Sequence, residues 1–161
     1  MEKLFLLDAY ALIYRSYYAF IKNPRINSKG LNTSAIMGFL NTLQEVLTKE
    51  QPTHLGVAFD PHGPTFRSEA YPAYKAQREA TPEDIKQSVP IIKNILKAWN
   101  IPILEAEGYE ADDVIGTLAS IGDKGDGDIP HIFRRHLRDL RYGSQTVCIH
   151  PCTHHRRDSR I

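Results

Sequence analysis

Short apolar runs that end on an aspartate alternate with amphipathic stretches along the first 120 residues. Residues 4–7 and 55–59 are typical of short buried strands, and each is followed directly by a carboxylate, Asp8 or Asp60. A third apolar run, residues 101–104, precedes an acidic stretch. With the helices between them, the predicted order is β-α-α-β-α-β-α. This order indicates an α/β domain with a mostly parallel central sheet flanked by helices.

Four stretches with apolar residues at helical spacing predict the helices. They cover residues 9–21, 33–50, 81–99 and 110 to about 121. The third has Thr81 as its N-cap and Pro82 at its first helical position, followed by two acids in the first turn.

The pattern weakens in two places. Residues 61–82 are polar, aromatic and basic without a clean period. Residues 122–128 are predicted to form a polar loop, residues 129–133 are compatible with a strand, and no sustained apolar period follows residue 134.

Composition narrows the class of protein. The chain has 161 residues, 42% of them apolar and 24% charged, which is ordinary for a single globular domain. It contains no apolar run of 18 residues, so we expect no membrane partner, and its first residues do not resemble a secretory signal. We therefore expect a cytoplasmic protein.

Charge divides the chain into two parts. Residues 1–128 carry 13 basic and 17 acidic side chains, a net charge of −4, whereas residues 129–161 carry seven Arg and two Asp, a net charge of +5. The second part also holds five of the seven His and both Cys. We predict a boundary here, with an atypical Arg- and His-rich tail over residues 129–161.

Acidic residues at the ends of the predicted elements are the candidates for chemistry. Because the carboxyl ends of parallel strands line the ligand crevice of an open α/β sheet, acids that follow separate strands would face one opening. Two like charges about 4 Å apart cost about 4 kcal/mol at an effective dielectric of 20, so a cation is expected to offset them. Mg²⁺ or Mn²⁺ fits oxygen ligands, and a pair of such ions suits phosphodiester hydrolysis. The alternative is that these acids are only turn and helix-start residues.

Four sequence blocks resemble the 5′ nuclease (5′-3′ exonuclease, PIN-like) domain at the front of bacterial DNA polymerase I. They are LLD with YRSYYAF at 6–8 and 14–20, VAFD at 57–60, TFR with YKAQR at 65–67 and 74–78, and GYEADDVIGTLA at 108–119. Their order and spacing agree with the family over roughly residues 3–120. The resemblance implies a PIN-like fold over residues 1–128 that is incomplete at its C-terminal end.

The family resemblance implies a metal-dependent nuclease that cleaves DNA near a 5′ end or at a 5′ flap, with two Mg²⁺ or Mn²⁺ ions in the complete site. It also implies a polymerase domain in the full-length relative. The acids that match metal-site positions are Asp8, Asp60, Glu110, Asp112 and Asp113, of which Asp8, Asp60 and Asp113 are the first candidates for direct ligands.

The same resemblance assigns basic and aromatic residues to the nucleic acid. Lys75 and Arg78 would face the scissile phosphate as catalytic residues, Tyr74 would stack on a terminal base, and Arg15 and Arg67 would contact DNA. The residues themselves agree, since interleaved aromatic and basic groups are how proteins hold single strands. A solvated basic helix whose tyrosines pack on the core is the alternative.

Residues after the acidic helix depart from the family pattern. The segment 122–128 loosely resembles two downstream motifs at the wrong distance, which makes Asp123 and Asp126 tentative metal ligands. We interpret the tail as a truncated or out-of-frame end; a Cys- and His-bound metal, a basic DNA-binding arm and disorder are the alternatives. A non-catalytic DNA-binding remnant and a PIN-like ribonuclease therefore remain rival functions.

Overall fold

Parallel strands in the order β3-β2-β1-β4 form the central sheet of the structure, a computed structural model that describes residues 3–75, 79–124 and 145–149. The strands are β1 (Lys3–Asp8), β2 (His54–Ala58), β3 (Ile103–Leu104) and β4 (Gln145–Ile149). The helices are α1 (Ala9–Ala19), α2 (Ser34–Glu45), α3 (Phe66–Ala70), α4 (Glu83–Ala98) and α5 (Ala111–Lys124). The predicted α/β class and parallel sheet are confirmed.

Strand β1 is buried on both faces of the sheet, which explains its uninterrupted apolar sequence. Phe5 and Leu7 pack in one core cluster with residues of α1, α2 and α4. Leu4 and Leu6 point to the opposite face, where they pack with residues of α5. The sheet therefore lies between two helical layers, and its carboxyl edge is left for the acids.

The strand register brings the acid-bearing ends together. Asp8 of β1 is paired with Ala58 of β2, and Ala58 is paired with Leu104 of β3. Asp60 follows two residues after Ala58, and the loop after Leu104 leads to the start of α5. All three connections therefore emerge at one edge of the sheet, as predicted for parallel strands.

Helices α1 and α2 pack closely because Gly38 has no side chain. A Cβ at Gly38 would lie 2.5 Å from the Cβ of Ser16 on α1. The predicted helix over residues 33–50 exists, although α2 itself ends at Glu45 and continues as a π-helical turn over Val46–Glu50. This contact fixes α1 and so the position of Asp8 at its start.

A short helix, α3, forms in the segment whose sequence has no clean period. Two other local predictions were wrong. Pro82 is the N-cap of α4 and not its first helical residue, while the Thr81 hydroxyl accepts a hydrogen bond from Tyr14. Helix α5 continues to Lys124, so residues 122–124 are helical and not part of a polar loop. Extending an existing helix by one turn requires no new nucleus, which outweighs the poor propensity of Gly122.

Strand β4 was also missed by the sequence reasoning. Residues 145–149 pair in parallel with β1, in a region where no apolar period could be found. Five residues are too few for a periodic signal, and only the β-branched Thr146, Val147 and Ile149 favour a strand there. The strand predicted at 129–133 lies outside the described residues.

No helix within the described part of the chain combines the length and apolar character needed to span a membrane.

Candidate active site

A cleft of about 900 Å³ opens at the carboxyl edge of the sheet. Five carboxylates line it. Four come from the ends of β1 and β2 and from the start of α5, namely Asp8, Asp60, Glu110 and Asp112, and the fifth is Glu79, which precedes α4. Lys75 lines the same cleft from the segment after α3. The structure thus brings together four of the five acids predicted for the metal site, with one of the predicted catalytic cations.

Asp8 and Asp60 each organise the start of a helix. An Asp8 carboxylate oxygen caps α1 by accepting a hydrogen bond from the Ala11 N–H at 3.0 Å. An Asp60 oxygen accepts from the N–H of Ala111, the first residue of α5, at 2.7 Å. Since the first N–H groups of a helix lack partners within it, these acids stabilise the helix starts while lining the cleft.

Asp113 does not line the cleft and binds Arg67. Its two oxygens accept hydrogen bonds from both guanidinium nitrogens at 2.6 Å, and one of them also accepts from the Glu110 N–H at 3.0 Å. The guanidinium, opposed in part by burial, holds the pKa of Asp113 below its usual value, and the Glu110 N–H acts in the same direction. Asp113 raises the pKa of Arg67 in turn. Both groups are therefore charged in a fork-like pair that joins α3 to α5.

Glu110 is the most enclosed of the acids, with 7% of the residue exposed. One carboxylate oxygen accepts from Lys75 Nζ at 2.7 Å, and the other accepts from the Tyr74 hydroxyl at 3.2 Å and lies 3.7 Å from Arg67. Burial alone would raise the pKa of Glu110, but the hydrogen bond and charge of Lys75 outweigh it, so the pKa is lowered. The predicted cations thus contact a predicted metal ligand directly.

The segment that carries these cations has little core of its own. No residue of α3 is buried, and the backbone N–H of Phe66 donates to the Gly108 carbonyl at 2.9 Å. Lys75 has a φ of 60°, a left-handed conformation that is uncommon for a residue other than glycine. The ion pair with Glu110 therefore holds a strained backbone position.

Two lysines and a histidine in the cleft lining were missed by the sequence reasoning. Lys86 and Lys93 line it from α4, and His62 lines it from the loop after β2. Lys93 Nζ lies 2.9 Å from Glu105 and 4.8 Å from the centre of the Phe59 ring. The seven-residue spacing of the two lysines, which places them on one helix face, was the available signal.

Tyr10 and Tyr14 of α1 also line the cleft and were not singled out from the sequence. Burial raises the pKa of Tyr10, and the negative charge of Asp60 raises it further. Tyr10 is therefore a neutral hydroxyl beside the acids at ordinary pH.

Arg15 lies elsewhere. Its guanidinium donates to the Thr42 hydroxyl at 3.0 Å in a separate groove between α1 and α2. The predicted residues Arg78 and Asp126 lie outside the described residues, as does the side chain of Asp123 at the end of α5.

The carboxylates that line the cleft are chemically suited to bind a hard divalent cation. The acids that line the cleft carry carboxylate oxygens, the ligands that Mg²⁺ and Mn²⁺ prefer. Among residues 3–75 and 79–121, however, no three His, Cys, Asp or Glu side chains are gathered tightly enough to form a closed metal cage. The acids surround the cleft, and Glu110 is occupied by Lys75, so binding an ion would require local movement of these side chains.

Comparison with known proteins identifies relatives of this arrangement. The family model of the 5′-3′ exonuclease N-terminal resolvase-like domain matches residues 3–132. DNA polymerase I of Treponema pallidum is 48% identical over 118 residues, and a 5′-3′ exonuclease of Aquifex aeolicus is 46% identical over 119 residues. These alignments cover 73% and 74% of this chain but 12% and 40% of the relatives.

A solved structure shares the fold. The T5 D15 protein co-crystallised with metal ions superposes with a TM-score of 0.56 at 20% identity, over 74% of this chain and 44% of that protein. The sheet and its flanking helices therefore have the PIN-like 5′ nuclease architecture predicted from the sequence.

Proposed function

Because this chain belongs to the family of 5′-3′ exonuclease N-terminal resolvase-like domains, we propose that it hydrolyses DNA phosphodiesters near a free 5′ end or at a 5′ flap, using divalent cations. One observation carries the proposal: four of the predicted metal-site acids, contributed by three different elements, line a single cleft together with a lysine. A polymerase module in the complete protein and a cytoplasmic role in replication and repair belong to the same proposal, since this chain spans only part of its relatives.

The acids that line the cleft are assigned to the metal ions. Asp8, Asp60, Glu110 and Asp112 would hold Mg²⁺ or Mn²⁺, which supplies an activated water and stabilises charge on the phosphate when bound. The T5 D15 protein was co-crystallised with metal ions, which supports metal dependence. The protein's own contribution is to fix the acids at helix starts, so that their oxygens stay at the cleft wall.

Asp113 is assigned a different task from its neighbour Asp112. Its carboxylate is engaged by Arg67 and by the start of α5, and it does not line the cleft. We assign it to positioning Arg67 and α5, in preference to direct metal binding. This assignment departs from the prediction from the family motif, which made Asp113 a first candidate for a direct metal ligand together with Asp8 and Asp60.

Lys75 is assigned to the scissile phosphate. In the structure its ammonium group neutralises Glu110 at 2.7 Å. A cation bound by the acids would compete for Glu110, and the released ammonium could then contact a phosphate oxygen. Tyr74 beside it, Arg78 and Arg15 keep the nucleic-acid roles predicted from the family motifs.

Cleavage of a 5′-labelled flap DNA with Mg²⁺ or Mn²⁺ tests the proposal. We expect cleavage by the unaltered chain and its loss in Asp60→Asn, which keeps an oxygen for the Ala111 N–H but removes the charge. Asp84→Asn is the matched control, because Asp84 accepts a hydrogen bond from Asn32 and does not line the cleft. Equal cleavage by all three proteins would overturn the assignment, and cleavage of RNA alone would replace the substrate.

A second candidate function is DNA binding without cleavage. The open arrangement of the acids, with no closed cage in the described part of the chain outside β4, favours it. Flap binding in the presence of EDTA, combined with no cleavage in either Mg²⁺ or Mn²⁺, would select this candidate.

A further inference from the structure

Two exposed aromatic rings stand together beside the cleft and take no part in the roles described above. Phe66 is 45% exposed and Tyr109 is 54% exposed. Their ring centres are 5.6 Å apart with a tilt of 51°. Neither ring lines the acidic cleft. Exposed aromatic rings in contact with each other are a candidate interaction surface.

Backbone hydrogen bonds and a cation–π contact hold the pair in place. The Phe66 N–H donates to the Gly108 carbonyl, and the Tyr109 N–H donates to the Ala106 carbonyl. Gly108 has a φ of 80°, which an L side chain rarely adopts, so the turn that presents Tyr109 depends on glycine. Arg67 lies over the Phe66 ring at 4.6 Å while its fork holds Asp113. A surface fixed before binding loses little entropy when a ligand docks.

We propose that Phe66 and Tyr109 form a stacking platform for an unpaired nucleobase of the DNA strand that enters the cleft. The inference rests on the proposed nuclease function. Tyr109 directly precedes Glu110 in the chain. Arg67, which lies over the Phe66 ring, also lies 3.7 Å from a Glu110 oxygen, so a base on the platform would be next to the acids.

A nucleobase fits this surface better than a peptide partner does. Four carboxylates lie in the same neighbourhood, at Glu107, Glu110, Asp112 and Asp113. The uncharged face of any nucleobase can stack on aromatic rings, whatever the DNA sequence. The backbone phosphate can then lie toward Lys75 and any bound cation, away from these carboxylates. Continuity with the cleft is the second argument, because Arg67 joins the Phe66 ring to Asp113 and approaches Glu110.

Fluorescence of 2-aminopurine, placed at successive positions of a 5′ flap, tests the platform in EDTA, where no cleavage occurs. We expect quenching at one or two positions for the unaltered protein, because stacking on an aromatic ring quenches this base. Phe66→Leu and Tyr109→Leu should abolish that quenching and weaken flap binding about tenfold each. The salt dependence of binding should not change, since no phosphate contact is removed.

Three matched variants make the test decisive. Tyr109→Phe and Phe66→Trp should retain quenching, and Trp99→Leu should have no effect, since Trp99 is 49% exposed but caps the far end of α4. Melting temperatures identify any leucine variant that fails to fold. In that case, the quenching in Tyr109→Phe and Phe66→Trp is compared with that of the unaltered protein. Unchanged quenching in both leucine variants overturns the platform while leaving the nuclease proposal intact.

The remaining outcomes separate the two proposals. If the unaltered protein binds no flap DNA at all, the nuclease proposal fails, and the platform fails with it. If the unaltered protein is a dimer that Tyr109→Leu converts to a monomer without a change in quenching, the rings form a contact between copies and the platform is overturned. Light scattering at the concentration of the binding assay measures this.

Discussion

The acids and the cations of the cleft lie in two regions that are held in place by different forces. The acids follow strands and precede helices whose residues are fully buried, such as Leu7 of β1 and Ala58 of β2. The cations lie on α3 and the turn after it, where no α3 residue is buried and Tyr71 is 64% exposed. The core therefore positions the acids, whereas the acids themselves position the cations.

This difference predicts an asymmetry. Removing an acid should release the segment over residues 66–75, because Glu110 and Asp113 hold it through Arg67 and Lys75. Removing a cation should leave the acids where they are, because Asp60 and Asp113 remain bonded to backbone N–H groups at the start of α5. Variants of each kind can break or sharpen the comparison.

Glu110→Gln should give the largest effect. It removes a proposed metal ligand and the partner of Lys75 together, so we expect flap cleavage to fall by at least about 100-fold. Amide hydrogen exchange over residues 66–75 should become faster, because the segment has few buried contacts of its own. Kinetics and exchange mass spectrometry measure both. Unchanged exchange would mean that the segment does not depend on the acids.

Lys75→Met should give the next largest effect and the opposite pattern. Cleavage should fall by about 100-fold, as for loss of one preorganised donor to the phosphate. Mn²⁺ binding, measured by electron paramagnetic resonance, should become severalfold tighter, because Glu110 loses the cation that competes for it. Lys49→Met is the control, since Lys49 lies on the π-helical turn after α2, away from the cleft. Weaker Mn²⁺ binding in Lys75→Met would contradict the competition.

The region that carries the acids was largely predictable from the sequence, for a physical reason. Asp8 and Asp60 follow buried apolar runs, and parallel pairing brings the ends of such runs to one edge of the sheet. Glu110 and Asp112 follow from the helix-start pattern together with the family motif. These are local signals, set by residues within a few positions of each acid.

The contacts of the cation segment could not be predicted in the same way. Lys75 meets Glu110 across 35 residues of chain, and Arg67 meets Asp113 across 46. Nothing near Asp113 distinguishes it from Asp112, yet one turns toward Arg67 and the other lines the cleft. Such choices depend on how α3 docks against α5. The lysines of α4 were missed because a lysine on an exposed helix face is usually solvated.

Gly38→Ala tests the close packing of α1 on α2, which fixes the position of Asp8. The new Cβ would meet Ser16 at 2.5 Å, so α1 and α2 must separate, which should lower the free energy of unfolding by about 1–3 kcal/mol. Gly116→Ala is the matched control in α5, where a Cβ meets nothing within 4 Å. It should stabilise the protein by about 0.5–1 kcal/mol. Urea titrations measure both, and equal shifts would contradict the close packing of α1 on α2.

The smallest predicted effect is the pH dependence of stability that comes from the Arg67–Asp113 ion pair, which joins the two regions. Arg67 holds the pKa of Asp113 below its usual value. A carboxyl whose pKa is lowered by folding stabilises the protein above its unfolded pKa of about 3.9 and loses that contribution as the pH falls through the lower folded value. The unfolding free energy should therefore decrease below about pH 4, and the decrease should be shallower in Asp113→Asn.

Glu107→Gln is the control for this measurement, since Glu107 is an exposed acid in the turn before Glu110. It should leave the slope of stability against pH close to that of the unaltered protein. The contribution of Glu110, whose pKa is also lowered, remains in both variants, so the slope in Asp113→Asn should be reduced but not abolished. Identical slopes in Asp113→Asn and the unaltered protein would mean that the Arg67 fork forms without stabilising the fold. The cation segment would then be held by the contacts of Lys75 and Tyr74 with Glu110 and by the backbone hydrogen bond of Phe66 to Gly108.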